Sequence, residues 1–292
     1  MRDKNSFQAF KDAFSKNKAK LQWDELSITE ARFGSKRKYV GWVDLMGAST
    51  LMLRSPDAAS RSIGSLHESV LRAVAALPDK RQPELHPISD GVYVVSDKYN
   101  IVATVLGRAF RSYALKYLKL DSEARSCPIR AAIAYGRTME YPAVCSQFEA
   151  AFQKGGRISI PKEYVANVVQ GTAFSAAHEA ERKAPPFGIF HDESLRNFGQ
   201  TGDNGQFITW PFLKWWCEDR EASKQALRFA ECFGRVVLAH FNWIERHPVE
   251  SGMDGDRISE KIERYRKLIR EYFGVFERKQ CEAELLAERK EQ

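Results

Sequence analysis

Tyr39-Val40-Gly41-Trp42-Val43-Asp44-Leu45-Met46-Gly47-Ala48-Ser49-Thr50 is an apolar run that delivers one acid, Asp44, into a turn of small residues opening a helix. A second run, Ile88-Ser89-Asp90-Gly91-Val92-Tyr93-Val94-Val95-Ser96, places Asp90 beside a strand, with Asp90-Gly91 reading as a tight hairpin turn. Enough chain lies between the two for a helical crossover. Either acid alone reads as a turn or cap residue. Two of them at the ends of strand-like runs are poorly placed for a core and well placed for a cation.

Outward from these runs, Ile63, Leu66, Val70, Val74 and Leu77 recur at helical spacing and stop at Pro78-Asp79. Asp97 reads as the N-cap of a further helix, whose stripe is Val102, Val105, Leu106, Ala109, Phe110, Tyr113 and Tyr117. A strand is expected from Ile129 to Tyr135, closed by Gly136, then a close-packed helix from Gly171 to Glu181 and a strand at Phe187 to Phe190. The order β, crossover, hairpin, helix, β specifies an α+β fold of ferredoxin-like or palm type, with helices packed on a mainly antiparallel sheet. The chain divides into an N-terminal helical extension at 1–35, a core at 36–190 and a mostly helical C-terminal extension at 191–292. In that extension Leu227 to Ile244 and the stripe Ile258, Ile262, Tyr265, Leu268, Ile269, Tyr272 and Phe276 are long helical patterns. The aromatic group Trp210, Trp215 and Trp216, crowded with Phe207, Phe212 and Leu213, reads as core.

Composition narrows the partners. The 292 residues are 43% hydrophobic and 28% charged, an ordinary globular balance. Apolar runs stay short of the roughly 18 to 20 residues of a membrane span, and the polar start Met1-Arg2-Asp3-Lys4-Asn5 lacks a signal-type segment, so a cytoplasmic protein is expected. Cys127, Cys145, Cys217, Cys232 and Cys281 are odd in number and widely spaced, which argues against a disulfide framework and a zinc site. A net charge of +7 suits an anionic partner, and a nucleoside triphosphate satisfies it as well as a nucleic acid does.

Val43-Asp44-Leu45-Met46-Gly47, Ile88-Ser89-Asp90-Gly91 and Ile129-Arg130-Ala131-Ala132-Ile133-Ala134-Tyr135-Gly136 resemble, in order and spacing, three core motifs of class III nucleotidyl cyclases. Gly171, Ala177 and Glu181 are similar to the Gly, Ala and Glu of that family's next helix. The resemblance covers roughly 36 to 190. It implies that Asp44 and Asp90, with the backbone carbonyl of Leu45, coordinate two divalent cations, Mn²⁺ or Mg²⁺. The turn Met46, Gly47, Ala48, Ser49 and Thr50 would offer amides to the substrate phosphates. It also implies a head-to-tail homodimer. The purine-cyclase Asn and Arg are replaced here by Ser175 and Glu179, and the adenine-reading Lys by His86. In this the chain looks more like the pyrimidine cyclases of the Pycsar antiphage system, which signal through a cyclic nucleotide to a separate effector. UTP is the substrate this favours, with CTP open. His86 would meet the pyrimidine edge or serve as a structural side chain, and Arg130 would meet phosphate, the partner subunit or an ion-pair partner. The rival readings are a purine cyclase and a non-catalytic nucleotide- or RNA-binding module. An RRM-type sheet needs exposed aromatics in a Lys/Arg-Gly-Phe strand motif, which is missing, so nucleic acid is not the expected partner.

Overall fold

A computed structural model describes residues 36–119, 127–139, 170–198, 200–201, 206–208, 210–217, 223–247 and 258–275. The expected helix within residues 5–20, Cys145, Cys281 and Phe276 lie outside them. The core elements are β1 (Lys36–Leu45), α1 (Ala48–Arg54), α2 (Pro56–Ala75), β2 (Glu84–Ile88), β3 (Gly91–Ser96), α3 (Tyr99–Tyr117), β4 (Ile129–Thr138), α4 (Thr172–Glu181) and β5 (Ile189–His191). Then come α5 (Glu193–Phe198), β6 (Gln200–Thr201), β7 (Gln206–Phe207), β8 (Phe212–Leu213), α6 (Lys224–Arg246) and α7 (Ile258–Phe273).

The main sheet runs β2-β3-β1-β4-β5-β8, and β6 pairs with β7 separately. Every pairing in the main sheet is antiparallel except β4 with β5. The first four strands thus have the ferredoxin-like order expected of a βαββαβ chain, and the protein is α+β.

Alternation along the strands sorts the side chains into two layers. Tyr39, Val43, Leu45, Val92, Val94, Ala131 and Ile133 pack with α2 and α3. Val40, Trp42, Tyr93, Val95 and Ala134 pack with Ala173, Phe174 and Ala177 of α4. All seven residues of the expected α3 stripe are buried. Each large one, such as Leu106 or Phe110, contributes roughly 1.5–3 kcal/mol by leaving water.

The larger apolar cluster continues without a break into the C-terminal helices through Phe187, Trp215, Phe233, Phe241, Tyr265 and Phe273. The Trp215 indole N–H donates to the Phe187 carbonyl at 2.7 Å, and the Tyr272 hydroxyl donates to the Leu213 carbonyl at 2.6 Å. Arg266 of α7 binds Asn242 and Glu245 of α6, fastening the two helices to each other.

Several local expectations differ in detail. The hairpin turn is Ser89-Asp90 rather than Asp90-Gly91, because Ile88 pairs directly with Gly91 and Ser89 takes the positive φ of 53°. The cap residue of α3 is Lys98, not Asp97, and makes no side-chain bond; its N–H donates to Ser96 Oγ instead. Strand β4 passes through Gly136 to Thr138 because β1 extends back to Lys36 and pairs along its whole length. Strand β5 starts at Ile189, since Phe187 holds a φ of 58° and the Gly188 N–H turns back to Pro185. Trp210 is 40% exposed while Trp215 and Trp216 are core.

Candidate active site

The strand register brings the two acids together. Asp44 is the penultimate residue of β1 and lies directly across from Gly91, the first residue of β3. Asp90 immediately precedes that glycine in the turn. Facing residues of antiparallel strands are about 4.5–5.5 Å apart at Cα, so the two acids lie at the same end of the sheet, close enough for the Asp90 charge to act on Asp44. Gly91 is fixed by packing: a Cβ there would sit 2.2 Å from Trp42 Cη2 and 2.8 Å from the Val43 carbonyl oxygen. A larger residue would push Asp90 away from Asp44.

Asp44 follows Trp42 by two, so its side chain leaves the sheet on the α4 face. There it meets a group of charges assembled from distant parts of the chain. Arg130, second in β4, is its cross-strand neighbour on the other side. The Arg130 Nε donates to Oε1 of Glu181, the last residue of α4, and Glu181 is almost fully buried. Arg130 Nη1 lies 3.5 Å from the Tyr265 hydroxyl of α7.

These surroundings set the carboxyl groups. Burial, followed by the charges of Asp90 and Glu181, pushes Asp44 from 3.8 up to about 7, against the opposing pull of Arg130 and of the Leu45 backbone N–H. Glu181 is also raised, by burial, with Arg130 opposing. Nearby, burial and then the Asp44 charge raise the Tyr93 hydroxyl. Cys127 is pushed up to about 12, chiefly by burial and also by both aspartates, so without a metal it stays a thiol.

Among the described residues no three His, Cys, Asp or Glu side chains form a metal cluster. The donor set nevertheless fits a hard divalent ion, which is often held by one or two carboxylates and completed by water and substrate phosphates. Asp44 supplies the physical sign: a carboxyl pressed toward neutrality by burial and then by the neighbouring Asp90 and Glu181 charges is one that a cation would return to its charged form.

The other expected site residues are placed as follows. Leu45 is buried and pairs with Ile129. Met46 is buried and its N–H donates to the Pro128 carbonyl at 2.7 Å, which commits that amide and removes it from any phosphate cradle. Gly47 turns the chain with a φ of 81° as the N-cap of α1, and the Leu51 N–H returns to its carbonyl. Ala48, Ser49 and Thr50 form the first turn of α1, whose amides have no intrahelical acceptor. His86 pairs with Tyr93 on β3, and its ring lies on the α4 face, 6.1 Å from Phe174 and with Nε2 3.9 Å from Glu84. It therefore shares a face with Asp44, two strands across and level with Trp42. Ser175 and Glu179 are exposed on α4.

Sequence reading did not select Trp42, Tyr93, Glu181 or Tyr265 for the site. Period-two counting from Asp44 reaches Trp42, and the hairpin register reaches Tyr93. Glu181 and Tyr265 are 51 and 135 residues from Arg130, and no local pattern links them.

No protein-family model and no curated protein matches the sequence. Solved structures similar to the chain include the guanylyl cyclase Cya2, with 10% identity over 55% of this chain and 76% of that one at a TM-score of 0.36. An adenylate/guanylate cyclase/hydrolase from Silicibacter pomeroyi shares 14% identity over 61% of this chain and 94% of that one, at 0.40. The dimeric guanylyl cyclase domain of the RhoGC fusion protein from Blastocladiella emersonii shares 14% over 56% and 84%, at 0.36.

Proposed function

We propose that the chain is a metal-dependent nucleotide cyclase that converts UTP to 3′,5′-cyclic UMP and pyrophosphate, as a signal to a separate effector in antiphage defence of the Pycsar type. One observation carries the catalytic part: β1 and β3 bring Asp44 and Asp90 to adjacent positions at one sheet end. The resemblance of the motifs around them supports the reaction class, and His86 in place of a base-reading Lys supports a pyrimidine. CTP is the alternative substrate. The catalytic segment is 36–190, with 191–292 as an extension whose described helices α6 and α7 share the apolar core of the sheet.

In this reading Asp44, Asp90 and the Leu45 carbonyl would hold two divalent ions, Mn²⁺ or Mg²⁺. When bound, such ions supply Lewis acidity to the ribose 3′-hydroxyl and neutralise the triphosphate. The residues of the chain do the rest. Asp44 and Asp90 would set where the cations, and through them the phosphates, sit, and the amides of Ala48, Ser49 and Thr50 at the first turn of α1 would face phosphate oxygen. The 3′-hydroxyl loses its proton to water, its oxygen joins the α-phosphorus, the bond from that phosphorus to the α–β bridging oxygen breaks, and pyrophosphate leaves. His86, backed by the buried rings of Tyr93 and Phe174, would face the base, and a head-to-tail homodimer would complete that site. No helix among the described residues is long and apolar enough to cross a membrane; a cytoplasmic location belongs to the proposal.

The test is product analysis. Purified protein is incubated with each of UTP, CTP, ATP and GTP and Mn²⁺, and the products are separated. Cyclic UMP as the dominant product is expected. Cyclic CMP or a cyclic purine nucleotide would reassign the substrate, and inorganic phosphate without any cyclic product would refute the reaction class.

A further inference from the structure

Arg130 stands directly across β1 and β4 from Asp44, on the same face of the sheet. An unrestrained guanidinium at that position would close on the half-buried carboxylate, because a charge-assisted Arg–carboxylate pair is among the stronger contacts open to either group. It would then occupy the ligand that a cation needs. The structure shows the guanidinium engaged elsewhere. Its Nε donates to Glu181, nearly shut off from solvent at the end of α4, and its Nη1 is 3.5 Å from the hydroxyl oxygen of Tyr265.

Both partners are themselves immobilised. Glu181 ends a helix whose Ala173, Phe174 and Ala177 are packed on the sheet. Tyr265 is buried, with its ring 5.3 Å from Phe241 of α6. Helix α7 is tied to α6 by the Arg266 contacts with Asn242 and Glu245. A chain of contacts therefore runs from the C-terminal helices to the residue next to Asp44.

We propose that Glu181 and Tyr265 are positioning residues for the cation site: they hold Arg130 in a standing pair so that Asp44 stays open to a divalent cation. Through Tyr265, the C-terminal helices set how tightly that cation is held. The proposal rests on Asp44 and Asp90 being cation ligands and makes no assumption about the nucleotide. With Glu181 charged, the group of Asp44, Asp90, Glu181 and Arg130 carries two net negative charges and attracts a cation. With Glu181 replaced by Gln it carries one, and Arg130 is free to compete.

The experiment is Mn²⁺ binding to the full chain without nucleotide, read as the loss of free Mn²⁺ signal in electron paramagnetic resonance. Circular dichroism and melting temperature check the fold of each variant. Glu181→Gln keeps a hydrogen-bond acceptor for Arg130 and is expected to bind Mn²⁺ about tenfold more weakly, the lower end for loss of a group supporting a ligand. Tyr265→Phe, which removes one oxygen, is expected to weaken binding about two- to threefold, as for one modest hydrogen bond. Adding Arg130→Gln to either variant should restore the affinity, a rescue that a purely structural role for Glu181 would not give on folded protein. Wild-type affinity in a folded Glu181→Gln variant would overturn the proposal, and so would a weakened affinity that Arg130→Gln fails to restore. If Glu181→Gln does not fold, Tyr265→Phe with and without Arg130→Gln decides by the same two criteria. Equal Mn²⁺ binding by wild type and Asp44→Asn would overturn the ligand assignment and this proposal with it. Normal Mn²⁺ binding with no cyclic product would refute the cyclase and leave this proposal standing.

Discussion

Replacing Asp44 by Asn should stabilise the metal-free protein at alkaline pH while abolishing turnover. The carboxyl titrates near 7 in the folded chain against an ordinary 3.8. Between those values the folded state binds more protons than the unfolded state, so stability falls as pH rises through the window, and the loss is complete just above 7. The difference corresponds to about 4 kcal/mol at roughly 1.36 kcal/mol per pKa unit. Solvent reaches part of the carboxyl, and screening brings the expected effect down to about 2 kcal/mol. Asn has nearly the shape of the protonated acid and carries no charge to bury, so it escapes the penalty. Urea unfolding with EDTA present should therefore find Asp44→Asn more stable than wild type by about 2 kcal/mol at pH 8, and by less than half of that at pH 5. Comparing the two proteins at each pH cancels the other titrating groups. Mn²⁺ should raise the stability of wild type at pH 8 and leave the variant unmoved. A variant that is less stable at pH 8, or a gap that does not change with pH, would refute the electrostatic account of the site.

Three further outcomes follow from the packing and the buried polar groups. Gly91→Ala would place a methyl against Trp42 and the Val43 carbonyl; a loss of about 1–3 kcal/mol in denaturant unfolding is expected, together with loss of cyclase activity as Asp90 shifts. His191 is fully buried, with Nδ1 donating to the Trp210 carbonyl at 2.9 Å and Nε2 accepting from the Tyr99 hydroxyl at 3.0 Å, and burial lowers it to about 4. The unfolded chain then binds the extra proton between pH 6.5 and 4, so acidification through that range should remove about 3 kcal/mol of stability, and an acid titration by NMR showing this ring protonated at pH 6 in the folded protein would contradict it. Phe233→Ala, in the cluster that joins α6 to the sheet, should cost about 3–5 kcal/mol and lower a single unfolding transition seen by circular dichroism and by tryptophan fluorescence alike. Separate transitions by the two probes would show that the C-terminal helices fold independently of the sheet.

The strands β1 to β5, the helices α2, α3, α6 and α7 and their buried stripes were legible in the sequence because each is set by periodicity within a short window, which burial on one face imposes directly. The same holds for the order of the first four strands and for the approach of Asp44 to Asp90, which a hairpin and one crossover determine. Boundaries shifted where a backbone conformation, such as the positive φ of Ser89 or Phe187, was decided by the register of a strand elsewhere. The short β6, β7 and β8 were not anticipated; two-residue strands are too short to show a period. Only the tertiary structure joined Arg130 to Glu181 and Tyr265, committed the Met46 amide to Pro128, and turned His86 to the face that carries Asp44. A buried ion pair between residues far apart in the chain leaves no local trace, because its energy depends on how three separate elements exclude water around it, and that exclusion exists only once they are packed.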